Sequence, residues 1–211
     1  QYVLLAKMFD CPMTILGDKG QTMQEEKQDV LSFLPKIFGK DVCRIYLEKS
    51  YRSTSEIMDY ASEIAGEKQN MGIGRHGSLP QTTQVTEKEE EYRIIAEELC
   101  QETEISDTIA ILCLDADQAN ETADGIRRAL AARGTELTVN YLTRDSQHFD
   151  RGISVMPFYL AKGLEFDAVY IPDLQQYQTP LHRQALYINV TRALHRLRLY
   201  ECIDAGKQGQ G

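Results

Sequence analysis

The chain has no CxxC pair, and its five cysteines, Cys11, Cys43, Cys100, Cys113 and Cys202, are scattered and odd in number. Neither a disulfide framework nor a zinc site is indicated, and a reducing, cytoplasmic setting is the expected home. No apolar run approaches the roughly 18 residues that a membrane span needs, and the N-terminus has no secretory signal pattern, so no membrane partner is expected. Basic residues are in deficit: 23 Lys and Arg face 32 Asp and Glu, for a formal net charge of -9, and the pI is near 5.0. Affinity for a phosphate backbone rests largely on Lys and Arg, which argues against a free-standing nucleic-acid binder while leaving room for a local basic groove. There is no internal repeat and no low-complexity segment. What remains is an ordinary globular composition, 42% hydrophobic over 211 residues, enough for one generous domain or one domain plus a fragment. A helical pattern is already under way at Gln1, so a longer parent protein is expected.

The stretch from Gly152 to Asp173 organises the rest. Ile153 to Phe158 and Ala168 to Ile171 are apolar and β-branched without helical spacing, as in strands buried on both faces of a parallel sheet. Between them, Lys162-Gly163-Leu164-Glu165-Phe166-Asp167 reads as a polar turn emerging at a sheet edge or end, where open α/β sheets bind ligands. An ordinary polar connection would read the same way.

Residues 1–9 have helical spacing, and Met13 to Leu16 reads as a short buried strand running into Gly17-Asp18-Lys19-Gly20-Gln21. That loop suits a phosphate or metal-water position and, equally, a plain connection. A helix is expected over Gln24 to Leu34, broken by Pro35 and Gly39, and then a strand over Val42 to Leu47. Ser53 or Thr54 can cap a helix through Ala65, whose apolar stripe is Ile57, Met58, Ala61, Ile64 and Ala65. Arg52 stands where that strand ends and that helix starts, a place where a lone arginine is most often a surface residue. Gly66 to Pro80 reads as the most flexible loop. Thr82 to Thr86 and Thr108 to Leu114 read as strands. Glu87 to Gln101 is an acidic helix with Tyr92, Ile95, Ala96 and Leu99 on one face and a solvated charged side. Asp115 to Arg133 is helical and ends at Gly134. Leu137 to Leu142 alternates like a strand, a helix opens at Thr179-Pro180 and runs to about Arg192 or Ala193, and Leu197 to Cys202 closes as a strand. Strands alternating with helices imply an α/β fold with a doubly wound parallel sheet.

Three blocks in this order carry a family resemblance: SYRSTSEI at 50–57, YLAKGLEFDAVYI at 159–171 and LYINVTRALHRLRLY at 186–200. They resemble motifs IV, V and VI of superfamily 1 helicases of the UvrD/Rep type, and LGDKGQTM at 16–23 resembles their motif III. The resemblance implies a RecA-like, P-loop NTPase-type second motor domain over 41–204. It also implies a remnant of the first motor domain and a connector over 1–40, and a disordered tail over 205–211. By the same resemblance, ATP with Mg²⁺ is the cofactor, held mainly by a first motor domain, and single-stranded DNA is a partner bound weakly by this piece. Arg52 and Arg192 would be arginine fingers, and the helical spacing of Leu186, Val190 and Ala193 would turn Arg192 toward the cleft mouth. Gln21 would sense the γ-phosphate, Tyr51 would stack on adenine, and Glu165 would hydrogen-bond near the sugar and phosphates. Gly163 would let the backbone come close, and Lys162 would be a structural or phosphate-neighbouring charge.

The chain also departs from the family pattern. It contains no GxxxxGK[ST] phosphate loop and no acidic DExx run before motif III, so by itself it is not expected to hydrolyse ATP. Where family members place a Thr or Ser and a His that touch single-stranded DNA, the chain has Pro157 and Tyr159, leaving Tyr159 to stack on a base. Only Thr143 to Arg151 precedes motif V, too short for the large inserted domain of many relatives. The wording of motif V is most similar to the HelD-like branch, which implies RNA polymerase as a partner. Two other readings stay open at this stage: a non-enzymatic module that docks on RNA polymerase, and a generic α/β domain.

Overall fold

A computed structural model describes residues 2–9, 11–16, 30–39, 42–45, 49–50, 52–66, 71–72, 75–146 and 152–203. The elements in chain order are α1 (Tyr2–Met8), α2 (Val30–Phe38), β1 (Lys49–Ser50), α3 (Ser55–Ala65), β2 (Met71–Gly72), β3 (Gln81–Val85), α4 (Lys88–Glu102), β4 (Thr108–Cys113), α5 (Ala116–Ala132), β5 (Val139–Tyr141), β6 (Gly152–Pro157), β7 (Phe166–Ile171), α6 (Pro180–Val190) and β8 (Ala193–Cys202). Six strands form one sheet in the order β3-β8-β7-β4-β6-β5. Every neighbouring pair is parallel. The doubly wound α/β fold read from the alternation of elements is therefore present.

The side chains of β4 show how the two layers form. Ile109, Ile111 and Cys113 face a core with Tyr92, Ile95 and Leu99 of α4 and Ala119, Ala123 and Ile126 of α5. Ala110 and Leu112 face the other core, with Ile57 and Ala61 of α3 and Ala185, Leu186 and Val190 of α6. Period-two alternation with apolar residues at every position demands cover on both faces. The acidic helix α4 turns the expected face inward, but it is not acidic on its solvent side alone. Glu91 and Glu102 are buried, each matched by a cation: Lys88 Nζ at 2.8 Å and Arg196 Nη1 at 3.3 Å.

Several expected elements differ. Met13 to Leu16 forms no strand, and Leu16 is 84% exposed; an apolar run becomes a strand only where a partner takes up its backbone groups, and no described strand lies beside it. α2 continues through Pro35 and stops at Gly39 (φ +90). Residues 42–45 are not strand, and pairing starts at Lys49–Ser50, against Met71–Gly72 inside the stretch read as loop. Ala65, placed on the apolar stripe of α3, is exposed. α6 ends at Val190 and β8 begins at Ala193, four residues earlier than expected, because Phe166 of β7 pairs with Ala193. The expected tail, 205–211, lies outside the described residues.

The connection from β6 to β7 has consequences for function. β4 lies between these two parallel strands, so residues 158–165 must return from the carboxyl edge of the sheet to its amino edge. Six-residue strands are about 20 Å long, and eight residues can span about 26 Å. The crossover therefore has no room for a helix and lies across the α3/α6 face, where Ala161 is fully buried. Its two ends reach opposite edges of the sheet.

Candidate functional site

At the amino edge of β7 and β8 the three motif-bearing segments close into a ring. Glu165 immediately precedes β7, and its Oε1 lies 2.9 Å from Arg52 Nε, an ion pair with side chains 66% (Arg52) and 36% (Glu165) exposed. The carbonyl of the neighbouring Leu164 accepts from Arg192 Nη1 at 3.1 Å. Phe166 N–H donates to the Arg192 carbonyl at 2.9 Å. The Ser53 hydroxyl donates to the Ala193 carbonyl at 2.6 Å and so returns the path to the residue beside Arg52. Residues about 110 and 140 positions apart thus become neighbours, with one exposed guanidinium, one half-exposed carboxylate and one buried guanidinium at the edge.

The sheet positions these groups by simple means. Thr54 occupies the N-cap position of α3 in extended conformation, but its side chain makes no cap bond and its Oγ1 is buried without a partner among the described residues. The expectation that Ser53 or Thr54 caps α3 is therefore corrected. Gly163 has φ +86 with no atom within 4 Å of a built Cβ. The left-handed backbone, rather than a close approach within the domain, accounts for glycine at this position.

Arg192 is not where helical spacing placed it. It follows the end of α6, is only 3% exposed, and donates from Nε to Ile188 O and from Nη2 to Thr191 Oγ1, both at 3.3 Å, besides Leu164 O. Neither a cleft-facing arginine on a helix nor a solvated one describes it. The helix stops because β8 takes up the chain, and the side chain is drawn under the crossover by the Leu164 carbonyl. Gln21 and Tyr51 lie outside the described residues.

A strap over residues 75–77 lies against the same corner, a part of the stretch read as most flexible. Ser55 N–H donates to Arg75 O at 2.9 Å. Glu56 accepts from Gly77 N–H at 2.9 Å and pairs with His76 Nδ1 at 2.9 Å. The His76 hydrogen bond, with help from the backbone donors, lowers the Glu56 carboxyl from 4.5 to about 2. Arg75 Nη2 meets the His195 ring at 2.8 Å. No sequence signal pointed to Arg75, His195 or the Ser53 bond; a hydroxyl directly after Arg52 was the one visible clue.

Tyr159 sits at the start of the crossover, at the opposite, carboxyl edge of the sheet. Its ring is half-buried, meets Phe158 edge-on at 5.7 Å and lies under the Arg144 guanidinium at 5.2 Å. An aromatic face with a cation over it is a chemistry that accepts a base or a phosphate. Elsewhere along the carboxyl edge, the crevice between β4 and β7 is filled by protein. Asp173, buried and left-handed at φ 54, accepts from Lys88, from Gln118 Nε2 at 2.7 Å and from Gln175 Nε2 at 3.1 Å. Burial raises the adjoining Glu91 carboxyl. This buried polar cluster lies at the carboxyl edge, whereas Arg52, Glu165 and Arg192 gather at the amino edge.

The domain is thus an all-parallel, doubly wound α/β domain with two arginines and a glutamate tied at one edge. Residues 152–200 match the UvrD-like helicase C-terminal domain model. The C-terminal domain of a possible DNA helicase from Lactobacillus plantarum WCFS1 is 31% identical, with a TM-score of 0.59 over 74% of this chain and 89% of that one. The chain belongs to the UvrD-like helicase C-terminal domain family. Arterivirus nonstructural protein 10 (helicase), solved with DNA, is 9% identical with a TM-score of 0.38, over 60% of this chain and 31% of that chain. The PRRSV helicase is 17% identical with a TM-score of 0.33, over 78% of this chain and 24% of that one. No curated protein matches the chain.

Proposed function

We propose that this chain is the second motor domain of an ATP-dependent superfamily 1 DNA helicase or translocase, presenting Arg52 and Glu165, with Arg192 buried beneath them, to an ATP site shared with a first motor domain. The observation that supports this most is the ring of contacts, which gathers motifs IV, V and VI at one edge through residues otherwise far apart in sequence. ATP, when bound, supplies the phosphoryl group whose transfer builds negative charge, and positioned cations lower the barrier. Arg52 suits this task because its planar fork binds phosphate oxygens bidentately and keeps its charge. Its exposed pair with Glu165 is worth at most about 1 kcal/mol, so a phosphate can take Arg52 at little cost. Glu165, released, can accept from ribose hydroxyls. Arg192 holds the crossover carbonyl beside Glu165 and completes the electrostatics from below. Gln21 and Tyr51 are assigned the γ-phosphate and adenine contacts on the resemblance of their motifs, and Gly163 permits the turn that brings Glu165 to the edge. Mg²⁺ is assigned to the first motor domain on the same resemblance. Single-stranded DNA is assigned to the carboxyl edge of the sheet, at Tyr159.

The test compares turnover in a protein carrying both motor halves with turnover in this chain alone. The chain alone is expected to show no ATPase above background. With both halves present, Arg52→Ala is expected to lower ATP turnover by about 10³ to 10⁵ while changing stability by under about 1 kcal/mol. Near-native turnover of Arg52→Ala refutes the assignment.

A second reading, a HelD-like module in which ATP drives a conformational change on RNA polymerase rather than unwinding, is favoured by one observation. Tyr141 ends β5 and Gly152 begins β6, so no domain is inserted there, and Pro157 and Tyr159 replace polar strand contacts. Co-purification with RNA polymerase, together with the absence of duplex unwinding, separates this reading from the first.

A further inference from the structure

We propose that Ser53 is a positioning residue that fixes Arg52 and Arg192 relative to one another, an inference that rests on the reading of Arg52 as a nucleotide-facing group and of Arg192 as the buried support beneath it. Parallel strands point alternate carbonyls toward opposite neighbours. The Arg192 carbonyl faces β7 and accepts from Phe166 N–H, so the Ala193 carbonyl faces the β3 side. β3 pairs with β8 only from Arg198 onward, which leaves the first part of β8 overhanging on that side. Ser53 fills the gap: it is 4% exposed and its hydroxyl donates to Ala193 O at 2.6 Å.

Capping makes no competing claim on that hydroxyl. The N-cap position, where a Ser or Thr oxygen ordinarily accepts from the first turn of the helix, is held by Thr54, one residue on. Thr54 makes no cap bond and Ser53 is committed to a residue 140 positions away. A serine side chain has a single rotatable bond before its oxygen, so a 2.6 Å bond fixes the backbone that carries Arg52. The residue accepting that bond directly follows Arg192. Both arginines are therefore referenced to one carbonyl, and the Arg52–Glu165 pair closes the path on the crossover side. A bond that merely satisfied an orphan carbonyl would leave the arginine geometry indifferent to Ser53; the positioning role requires it to respond.

The experiment has two arms. In the full 211-residue chain, ¹⁵N-edited spectra follow the arginine Nε–Hε signals of wild type, Ser53→Ala, Ser53→Cys, Ser53→Thr and Glu165→Gln. Ser53→Ala is expected to move the Arg52 signal to the position that Glu165→Gln gives it and to shift the Arg192 signal. Ser53→Thr, which keeps the hydroxyl, should restore both. Ser53→Cys, similar in size with a weak donor, serves where Ser53→Ala does not fold. Unchanged Arg52 and Arg192 signals in a folded Ala or Cys variant overturn the proposal. In a protein with both motor halves, Ser53→Ala should lower kcat for ATP by up to about 10²-fold, the scale of a misplacement near 1 Å, with KM within about threefold. Unchanged kcat in a protein that does hydrolyse ATP also overturns it. Arginine signals that respond as described, in a protein whose wild type turns over no ATP, uphold the tie and refute the functional reading alone.

Discussion

Replacing Arg192 by alanine separates a buried arginine from the solvated one that helical spacing implies. The guanidinium bonds Ile188 O, Leu164 O and Thr191 Oγ1. The Ile188 carbonyl keeps a partner when Arg192 is removed, because Thr191 Oγ1 donates to it at 2.9 Å. The part-buried Leu164 carbonyl has no comparable substitute among the described residues, and leaving such an acceptor unpaired costs at most about 1–3 kcal/mol. Arg192→Ala also removes two methylenes of the buried stem, Cγ and Cδ, at about 0.8 kcal/mol each, or about 1.6 together. Arg192→Ala should therefore destabilise the chain by about 2–4 kcal/mol, whereas a solvated arginine would cost under about 0.5. Urea unfolding of the chain, read as a shift in midpoint at constant m, measures it. A loss below about 1 kcal/mol would refute the packing argument. A loss of the expected size also means that reduced ATP turnover in Arg192→Ala cannot be read as a lost finger. Arg192→Lys, which keeps the stem and one charge, is the better probe: it should recover about half of the stability, and turnover should still fail if the bidentate fork is required.

Glu56 makes the strap pH-dependent. Its carboxyl lies near 2 in the folded chain against an ordinary 4.5, so its contribution is complete above about 4.5 and is lost as pH falls toward 2. The Gly77 amide signal should titrate in that window, and Glu56→Gln should abolish the titration. Gly125 in α5 has no room for a methyl group, since a built Cβ meets the Tyr92 ring at 2.3 Å. Gly125→Ala should cost about 1–3 kcal/mol in the same unfolding assay, although alanine is the better helix former. Tyr159→Ala should weaken binding of a single-stranded oligonucleotide by about 5- to 100-fold, the range of one base stacked on one aromatic ring, as measured by fluorescence anisotropy at fixed salt. Equal affinity for the two proteins would remove Tyr159 from the interface.

Much of the architecture was legible because each strand's character is local. Ile109 to Leu114 is apolar at every position and Gly152 to Phe158 is interrupted only by Ser154, as a sheet covered on both faces requires, and Asp115 and Gly134 mark the ends of α5 by their own chemistry. Met13 to Leu16 misled for the same reason: a buried-strand sequence specifies a preference, while strand formation depends on a neighbour. The end of α6 was misplaced because pairing of Phe166 with Ala193 outweighs the helical spacing that runs on to Arg192.

Candidate residues divide in the same way. Arg52, Glu165 and Arg192 could be named from blocks of sequence, since each block carries its own short pattern. Their relation could not, because the ring depends on strand order. β4 lies between β6 and β7, so the short crossover must deliver Glu165 to the amino edge and leave Tyr159 at the carboxyl edge. β3 is too short to cover the start of β8, so Ser53 is drawn to Ala193. The sequence by itself determined which segments favour strand or helix and which charged groups they carry, because propensity acts over a few residues. Only the tertiary structure decided that Arg192 is buried and Arg52 exposed, because burial depends on which distant segment a side chain meets.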